Sequence, residues 1–293
     1  MNSILNSTLL ALCVAVSSIS TMASEPTQRD ISKITQIQEI RNATVKISYA
    51  DTTFLVDPMF AKKATYSGFE GTYRSELRNP LVDLPIKPET ILVDVDAIIV
   101  THTHLDHWDD VAQAAIPKNM PVFVQNKHDR KTIQSQGFKD VRVLTQTTFQ
   151  KVKLTKTGGQ HGTDSMFQVP ALAENLGSSM GVVFEAPQHK TIYLAGDTIW
   201  HQEVDQSIEK YKPDVIILNT GNALVNGFDD SIIMGKADTF TATQKAPNAK
   251  IIAVHMDAVN HMAVSRADVS QFVKEKLIED KVLIPLDGET LSF

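Results

Sequence analysis

Short apolar runs, three to five residues long and rich in Val, Ile and Leu, recur along the chain at 44–48, 53–56, 97–100, 122–124, 141–144, 152–154, 181–184, 191–194, 215–218, 251–254 and 282–284. Runs of this length and β-branched content favour strands over helices. Helical spacing falls between some of them, at 205–211, 237–246 and 266–280. In the last of these Val269, Phe272, Val273 and Leu277 share one face, and Asp268, Glu275 and Glu279 suit the other. Alternation of strands with helices predicts an α/β sandwich. Residues 58–92 break the pattern: Tyr66, Phe69 and Tyr73 stand among glycines and prolines with few strand signals. An irregular stretch of that length is commonly a functional loop. No Gly/Ser-rich or Pro-rich linker divides the chain and no repeat recurs, so one domain is expected over 24–293.

The first 23 residues are set apart by carrying no charged side chain. An apolar run over 9–16, then serines, then small residues around Ala23 predict a cleaved leader over 1–23 and an exported, periplasmic or secreted protein. The run is too short for a permanent membrane span. No Lys or Arg precedes it, which departs from the usual leader. Cys13, the only cysteine, lies inside it, and Leu12 before it does not suit a lipid-anchor site. Once the leader is removed, no thiolate remains to bind a metal or attack a substrate. Composition adds one exclusion. With a formal net charge of −6, the chain lacks the basic surplus of a nucleic-acid binder, so a small-molecule substrate is expected.

The chemistry concentrates where the run 97–100 ends. Thr101-His102-Thr103-His104-Leu105-Asp106-His107-Trp108-Asp109 places three of the nine histidines and two aspartates in nine residues. In extended backbone, residues two apart face the same way, so His102 and His104 can approach one metal together. A turn into helix then lets Asp106 and His107 reach a second. Imidazole and carboxylate suit zinc, and also manganese or iron. Three later residues stand at similar junctions: His161 in Gly158-Gly159-Gln160-His161-Gly162, Asp197 in Ala195-Gly196-Asp197-Thr198, and His255 after the run 251–254. Taken singly, His161 could be a turn residue, Asp197 a helix cap and His255 a core histidine.

In that order, the four motifs resemble those of the metallo-β-lactamase superfamily, whose signature is H-x-H-x-D-H. The resemblance runs from about residue 40 to the C-terminus. It implies a four-layer αββα sandwich and a metal-dependent hydrolase with two divalent ions, zinc first. By the same resemblance His102, His104 and His161 hold one ion, Asp106, His107 and His255 the other, and Asp197 bridges them. The nucleophile is then a hydroxide between the ions, and Asp106 can also relay a proton to the leaving group. Asp57 matches the early aspartate that supports the site. Asp109 is either such a support or a helix cap. His261, six residues after His255, is either a substrate-binding or proton-donating group or a structural one. Tyr66, Tyr73 and Arg78 are candidates for the substrate cleft.

Aspartate at position 197 resembles the thioesterase, lactonase and phosphodiesterase branches more than the true β-lactamases, which usually carry cysteine or serine there. The segments 78–85, 255–261 and 284–289 most resemble the L-ascorbate-6-phosphate lactonase-like group. A lactone or other ester-like substrate is therefore expected, with a phosphodiester as the alternative. A binding protein that keeps the site without turnover is the alternative from another class.

Overall fold

The computed structural model describes Met1 and residues 34–293. The leader expected over 1–23 otherwise lies outside the described residues. Residues 34–293 build two seven-stranded sheets. In chain order the strands are β1 (Gln36–Arg41), β2 (Thr44–Tyr49), β3 (Thr52–Val56), β4 (Ala97–Val100), β5 (Val122–Val124), β6 (Val141–Val143), β7 (Gln146–Phe149), β8 (Val152–Thr157), β9 (Gly181–Glu185), β10 (Ile192–Leu194), β11 (Val215–Asn219), β12 (Lys250–Val254), β13 (Val282–Leu283) and β14 (Thr290–Ser292). The helices are α1 (Pro88–Ile91), α2 (Asp110–Ala115), α3 (Lys127–Ser135), α4 (Asp164–Phe167), α5 (Pro170–Leu176), α6 (Gln202–Tyr211), α7 (Lys236–Lys245) and α8 (Arg266–Glu275).

One sheet runs β14-β1-β2-β3-β4-β5-β6 and the other β13-β12-β11-β10-β9-β8-β7. Each is half antiparallel and half parallel. Pairing is antiparallel from β14 to β3 and parallel from β3 to β6; in the second sheet it is antiparallel from β7 to β10 and parallel from β10 to β13. The sheets face each other across a core of Val45, Ile47, Phe54, Val56, Ile99, Phe184, Leu194, Ile217 and Val254. The outer faces are covered by helices. Ile98, Val100 and Val122 pack with Trp108, Ala112 and Ile133, and Ile216, Leu218 and Ile251 pack with Val204, Ala242 and Val269. This is the expected four-layer sandwich.

All the predicted runs form strands, and three strands have no counterpart among the predictions. β1, β7 and β14 are polar sequences at or next to sheet edges, so no apolar run marks them. The last helix is shorter than predicted. It stops at Glu275, and Leu277 takes a left-handed φ of 55° and is 82% exposed instead of joining the buried face. Ile278 is buried in its place. Residues 58–92 contain only the short α1 and the isolated bridges Tyr66–Asn79 and Thr72–Val225.

Candidate metal centre

Every predicted ligand sits just beyond a strand, on the side where the parallel strands end. β3 runs into Asp57, β4 into His102, β10 into Asp197 and β12 into His255, while His161 follows β8 by a short loop. Parallel strands deliver side chains to one edge, which is why open α/β sheets bind ligands there. The turns that follow are tight. Asp57 (φ 47°) and His255 (φ 63°) are left-handed without being glycine. At Gly196 (φ 71°) a Cβ would collide with the Met180 carbonyl, so the backbone that presents Asp197 leaves no room for a side chain there.

The ligand atoms converge into three overlapping sets, His102–His104–His161, His102–His107–Asp197 and Asp106–His107–His255. Within each set they lie within 4.8 Å of one another. Asp197 faces both sides. Its Oδ2 is 3.1 Å from His107 Nε2, 3.5 Å from His161 Nε2 and 3.9 Å from His102 Nε2, and its Oδ1 is 3.6 Å from His255 Nε2. Asp106 Oδ2 is 3.5 Å from His255 Nε2 and 3.8 Å from His107 Nε2. His102 Nε2 and His104 Nδ1 are 2.9 Å apart.

Most ring nitrogens turned away from this centre have an acceptor or hydroxyl partner. His107 Nδ1 meets Asp57 Oδ2 at 2.8 Å, His104 Nε2 the Asn175 carbonyl at 2.8 Å, His161 Nδ1 the Leu176 carbonyl at 3.3 Å and His102 Nδ1 the Thr101 hydroxyl at 3.1 Å. Asp57 is itself fixed, accepting from the Thr101 backbone N–H and hydroxyl, both at 2.7 Å. Such partners set which nitrogen of a ligating histidine carries its proton.

Electrostatics favour a cation here. Burial opposes charge on His107, yet the nearby Asp197, Asp106 and Asp57 carboxylates hold its pKa well above the usual histidine value. Burial pushes Asp197 up, but His107 and His255 hold it well below the carboxylate range. Burial, reinforced by His107 and His104, pushes His102 well down, and burial alone is the largest cause that takes His161 to about 3. His161 Nε2 is a sealed nitrogen without a hydrogen-bond partner. In its neutral form with the Nδ1 proton on Asp57, His107 would point a lone pair at Asp197 and at His255 Nε2, 3.1 Å away. Lone pairs at that distance repel unless positive charge lies among them. One proton relieves one such pair, whereas divalent cations relieve the whole set, so the residues fit a metal centre.

Several supports have no motif in the sequence. Asn219 at the end of β11 donates from Nδ2 to Asp197 Oδ1 at 2.6 Å. Asn42, left-handed at φ 65° and fully buried, donates from Nδ2 to the Asp106 carbonyl at 2.9 Å, and its own carbonyl accepts from the His255 N–H at 2.8 Å. A buried Asn closing an all-apolar strand was a readable signal. Asn42 reads only as a turn residue. Of the two readings of Asp109, the cap is what forms: it accepts from Ala112 N–H at the start of α2, and also from Phe60 and Ala61 N–H. Trp108 is structural as well, with its indole N–H on Gln136 and its ring against Phe138.

A cavity of about 270 Å³ opens onto the centre. His104, Asp106, His161 and Asp197 line it together with the apolar Phe69, Leu105, Leu172, Leu176, Val225 and Ile232, and the polar Glu70, Thr72, Asn175 and His261. Of the cleft candidates, Tyr66, Tyr73 and Arg78 do not line it. Tyr66 bonds to Asp110, Arg78 is spent on the Ala64 and Thr65 carbonyls, and Tyr73 lies in a separate surface groove. The loop does contribute, but through Phe69, Glu70 and Thr72.

The family described as "Beta-lactamase superfamily domain" matches residues 52–256. The UPF0173 protein YddR of Bacillus subtilis (strain 168) is 45% identical over 258 residues, which is 88% of this chain and 99% of that protein. The crystal structure of a possible metal-dependent hydrolase from Veillonella parvula DSM 2008 superposes with a TM-score of 0.88 at 51% identity, covering 89% of this chain and all of the other (100%). The structure of an isothiocyanate hydrolase from Delia radicum gut bacteria superposes with a TM-score of 0.84 at 45% identity, covering 88% of this chain and 99% of the other.

Proposed function

This chain belongs to the β-lactamase superfamily as a metal-dependent hydrolase related to the UPF0173 proteins, and on that premise we propose that it hydrolyses a small uncharged substrate at an electrophilic carbon, with organic isothiocyanates as the first candidate class. The observation that carries the proposal is the cavity. Its floor is the ligand cluster, its walls are Phe69, Leu105, Leu172, Leu176, Val225 and Ile232, and among the described residues no Lys or Arg lines it. An apolar wall rewards burial of an organic side chain. Similarity to the isothiocyanate hydrolase supports the choice of class. A lactone or simple ester offers the same kind of carbon to the same walls and is the second reading. A phosphodiester would call for cationic side chains that the cavity lining lacks.

His102, His104 and His161 would hold one divalent ion, Asp106, His107 and His255 a second, and Asp197 would stand between them. Zinc is the first choice. When bound, such ions supply Lewis acidity, polarising the substrate and easing removal of a proton from water. The chain's own residues do the rest. Asp106 lines the cavity and is placed to take the proton from the attacking water. The water oxygen bonds to the central carbon of R–N=C=S as the N=C π bond opens, both protons of the water pass in turn to nitrogen, and cleavage of the remaining C–N bond releases R–NH2 and carbonyl sulfide. Phe69, Leu172 and Val225 keep the organic group out of water. Asp57, Asn219 and Asn42 hold the ligands at fixed angles, so little ordering is left to the moment of reaction.

The test is release of benzylamine from benzyl isothiocyanate by the zinc-loaded protein, beside a chelated control and parallel assays with a lactone and a phosphodiester. Chelator-sensitive amine release is expected. Turnover of the phosphodiester alone overturns the carbon reading. Silence towards all three with metal bound points to a binding protein.

A further inference from the structure

The ligand cluster leaves one buried imidazole of the cavity unexplained. His261 is 6% exposed and lines the cavity beside Asp106 and Asp197, outside the three converging ligand sets. Its Nδ1 is sealed from solvent and has no hydrogen-bond partner. Buried polar groups are normally paired, so a sealed, unpaired nitrogen on a ring that lines the cavity calls for an explanation. The surrounding structure treats the residue as something to be held still. Phe69 braces the ring edge-to-face, with centroids 4.9 Å apart at 86°. The backbone on either side is pinned: Arg74 donates to the Asn260 and Met262 carbonyls at 3.0 and 2.6 Å, and the His261 carbonyl accepts from Leu224 N–H at 3.0 Å.

Asn260, next to it, is saturated. Its side chain accepts from Phe69 N–H and Asn79 Nδ2 and donates to the Thr72 hydroxyl and the Tyr73 carbonyl, at distances of 2.7 to 3.0 Å. This network ties the irregular loop, which carries the cavity residues Phe69, Glu70 and Thr72, to the segment that carries His261. The side chain of Asn260 is satisfied inside the protein, and Nδ1 of His261 is not. An immobilised imidazole with open hydrogen-bonding capacity, set in an apolar-walled cavity beside the ligand cluster, is arranged to meet a ligand.

We propose that His261 is the residue that grips the substrate, donating a hydrogen bond to the heteroatom on which negative charge builds as the neighbouring carbon is attacked. Every protonation state of an imidazole carries at least one N–H, so the role needs no titration. For an isothiocyanate the acceptor is the sulfur or nitrogen flanking the central carbon; for an ester it is the carbonyl oxygen. The site rests on the hydrolase reading above. It adds a specificity element: a substrate must present an acceptor beside the reacting carbon as well as an apolar group for the walls.

The experiment compares zinc-loaded wild type with His261→Phe and His261→Gln. Thiocyanate, a linear N–C–S ion, serves as a turnover-independent probe read by calorimetry, beside benzyl isothiocyanate turnover, zinc content and Tm. Phe keeps the ring volume against Phe69 and deletes an unpaired nitrogen. His261→Phe is therefore expected to keep its zinc and a Tm no lower than wild type. It should bind thiocyanate about 10-fold more weakly and lose about 100-fold in kcat with a smaller change in KM, the magnitude of a lost transition-state donor. His261→Gln, which can donate, should regain part of both losses. Unchanged thiocyanate affinity in His261→Phe overturns the proposal, as does failure of the wild type to bind thiocyanate. A Tm that falls by several degrees and is restored by Gln also overturns it, because the ring would then have a structural partner. Wild type that binds thiocyanate through His261 but leaves benzyl isothiocyanate intact upholds the grip and removes only the substrate class.

Discussion

His104 and His161 lean on a helix at the surface of the molecule, whereas Asp106, His107 and His255 lean on its core. In the first group, His104 and His161 spend their outward nitrogens on the carbonyls of Asn175 and Leu176. These are the last two residues of α5, a seven-residue helix with Pro170 at its start and Gly177 at its end. The final carbonyls of a helix have no partner within it, and here the histidines supply the donors. α5 is largely exposed. In the second group, all three ligands are buried. His107 rests on Asp57 between β3 and β4, and Asn42 ties the backbones of Asp106 and His255 together. The same kind of ligand is thus held by a local surface device on one side and by the sheet itself on the other.

Asp197 belongs to both sides, so its loss should have the largest effect. Asp197→Ala is expected to lose at least one metal by elemental analysis and about 100-fold or more in turnover. Full activity with two metals retained would sink the assignment of the centre. Asp57→Ala should separate the groups. It removes the acceptor of the His107 proton and should weaken the core-side ion about 10- to 100-fold while the surface-side ion stays. Because Asp57 also bonds β4 through Thr101, the Tm should fall too.

Gly177→Val tests the other side. Gly177 adopts φ 61° and ψ −144°, a region that non-glycine residues enter at a cost of about 1–3 kcal/mol. Relaxation of that strain should shift the Asn175 and Leu176 carbonyls and release the surface-side ion preferentially, with about a 10-fold loss of affinity and little change in Tm. If Gly177→Val and Asp57→Ala lose the same ion, the two groups are not independently supported.

The smallest effect is expected at Glu39, away from both groups. Its carboxyl is buried, and burial, only partly offset by Arg266, raises its pKa well above the usual carboxylate value of 4.5. Such a group favours the folded state in its protonated form. Its contribution is intact below the unfolded value and is lost as pH rises towards the folded one. Glu39→Gln should therefore match wild type in stability near pH 4 and exceed it increasingly on the way to pH 7, with metal content unchanged. Denaturant melts at both pH values would show this; a loss of stability at pH 7 would mean that Glu39 is a useful ionised partner of Arg266.

What the chain itself spelled out is the part governed by near neighbours. Buried parallel strands need continuous apolar runs, and these were readable, as were the ligands standing directly after them. The polar strands β1, β7 and β14 escaped because strands at or next to a sheet edge need not be apolar. Leu277 escaped because a periodicity does not reveal that the helix has already ended. Asp57 could be placed because the family resemblance marks an aspartate directly after that apolar strand, but Asn42 could not, since its role lies in two backbones far away in the chain.

The sequence determined the fold class and the hexapeptide at 102–107, because both are written in spacings of a few residues, and the order of the four motifs supplied the rest of the expected ligand set by resemblance. The tertiary structure alone decided the cavity, which gathers Phe69, Leu105, Leu172, Val225, Ile232 and His261 from separate segments. It also decided that Asp109 caps α2. Local pattern carries no information about what stands across a cavity, and the energy of a buried polar group depends on exactly that neighbour.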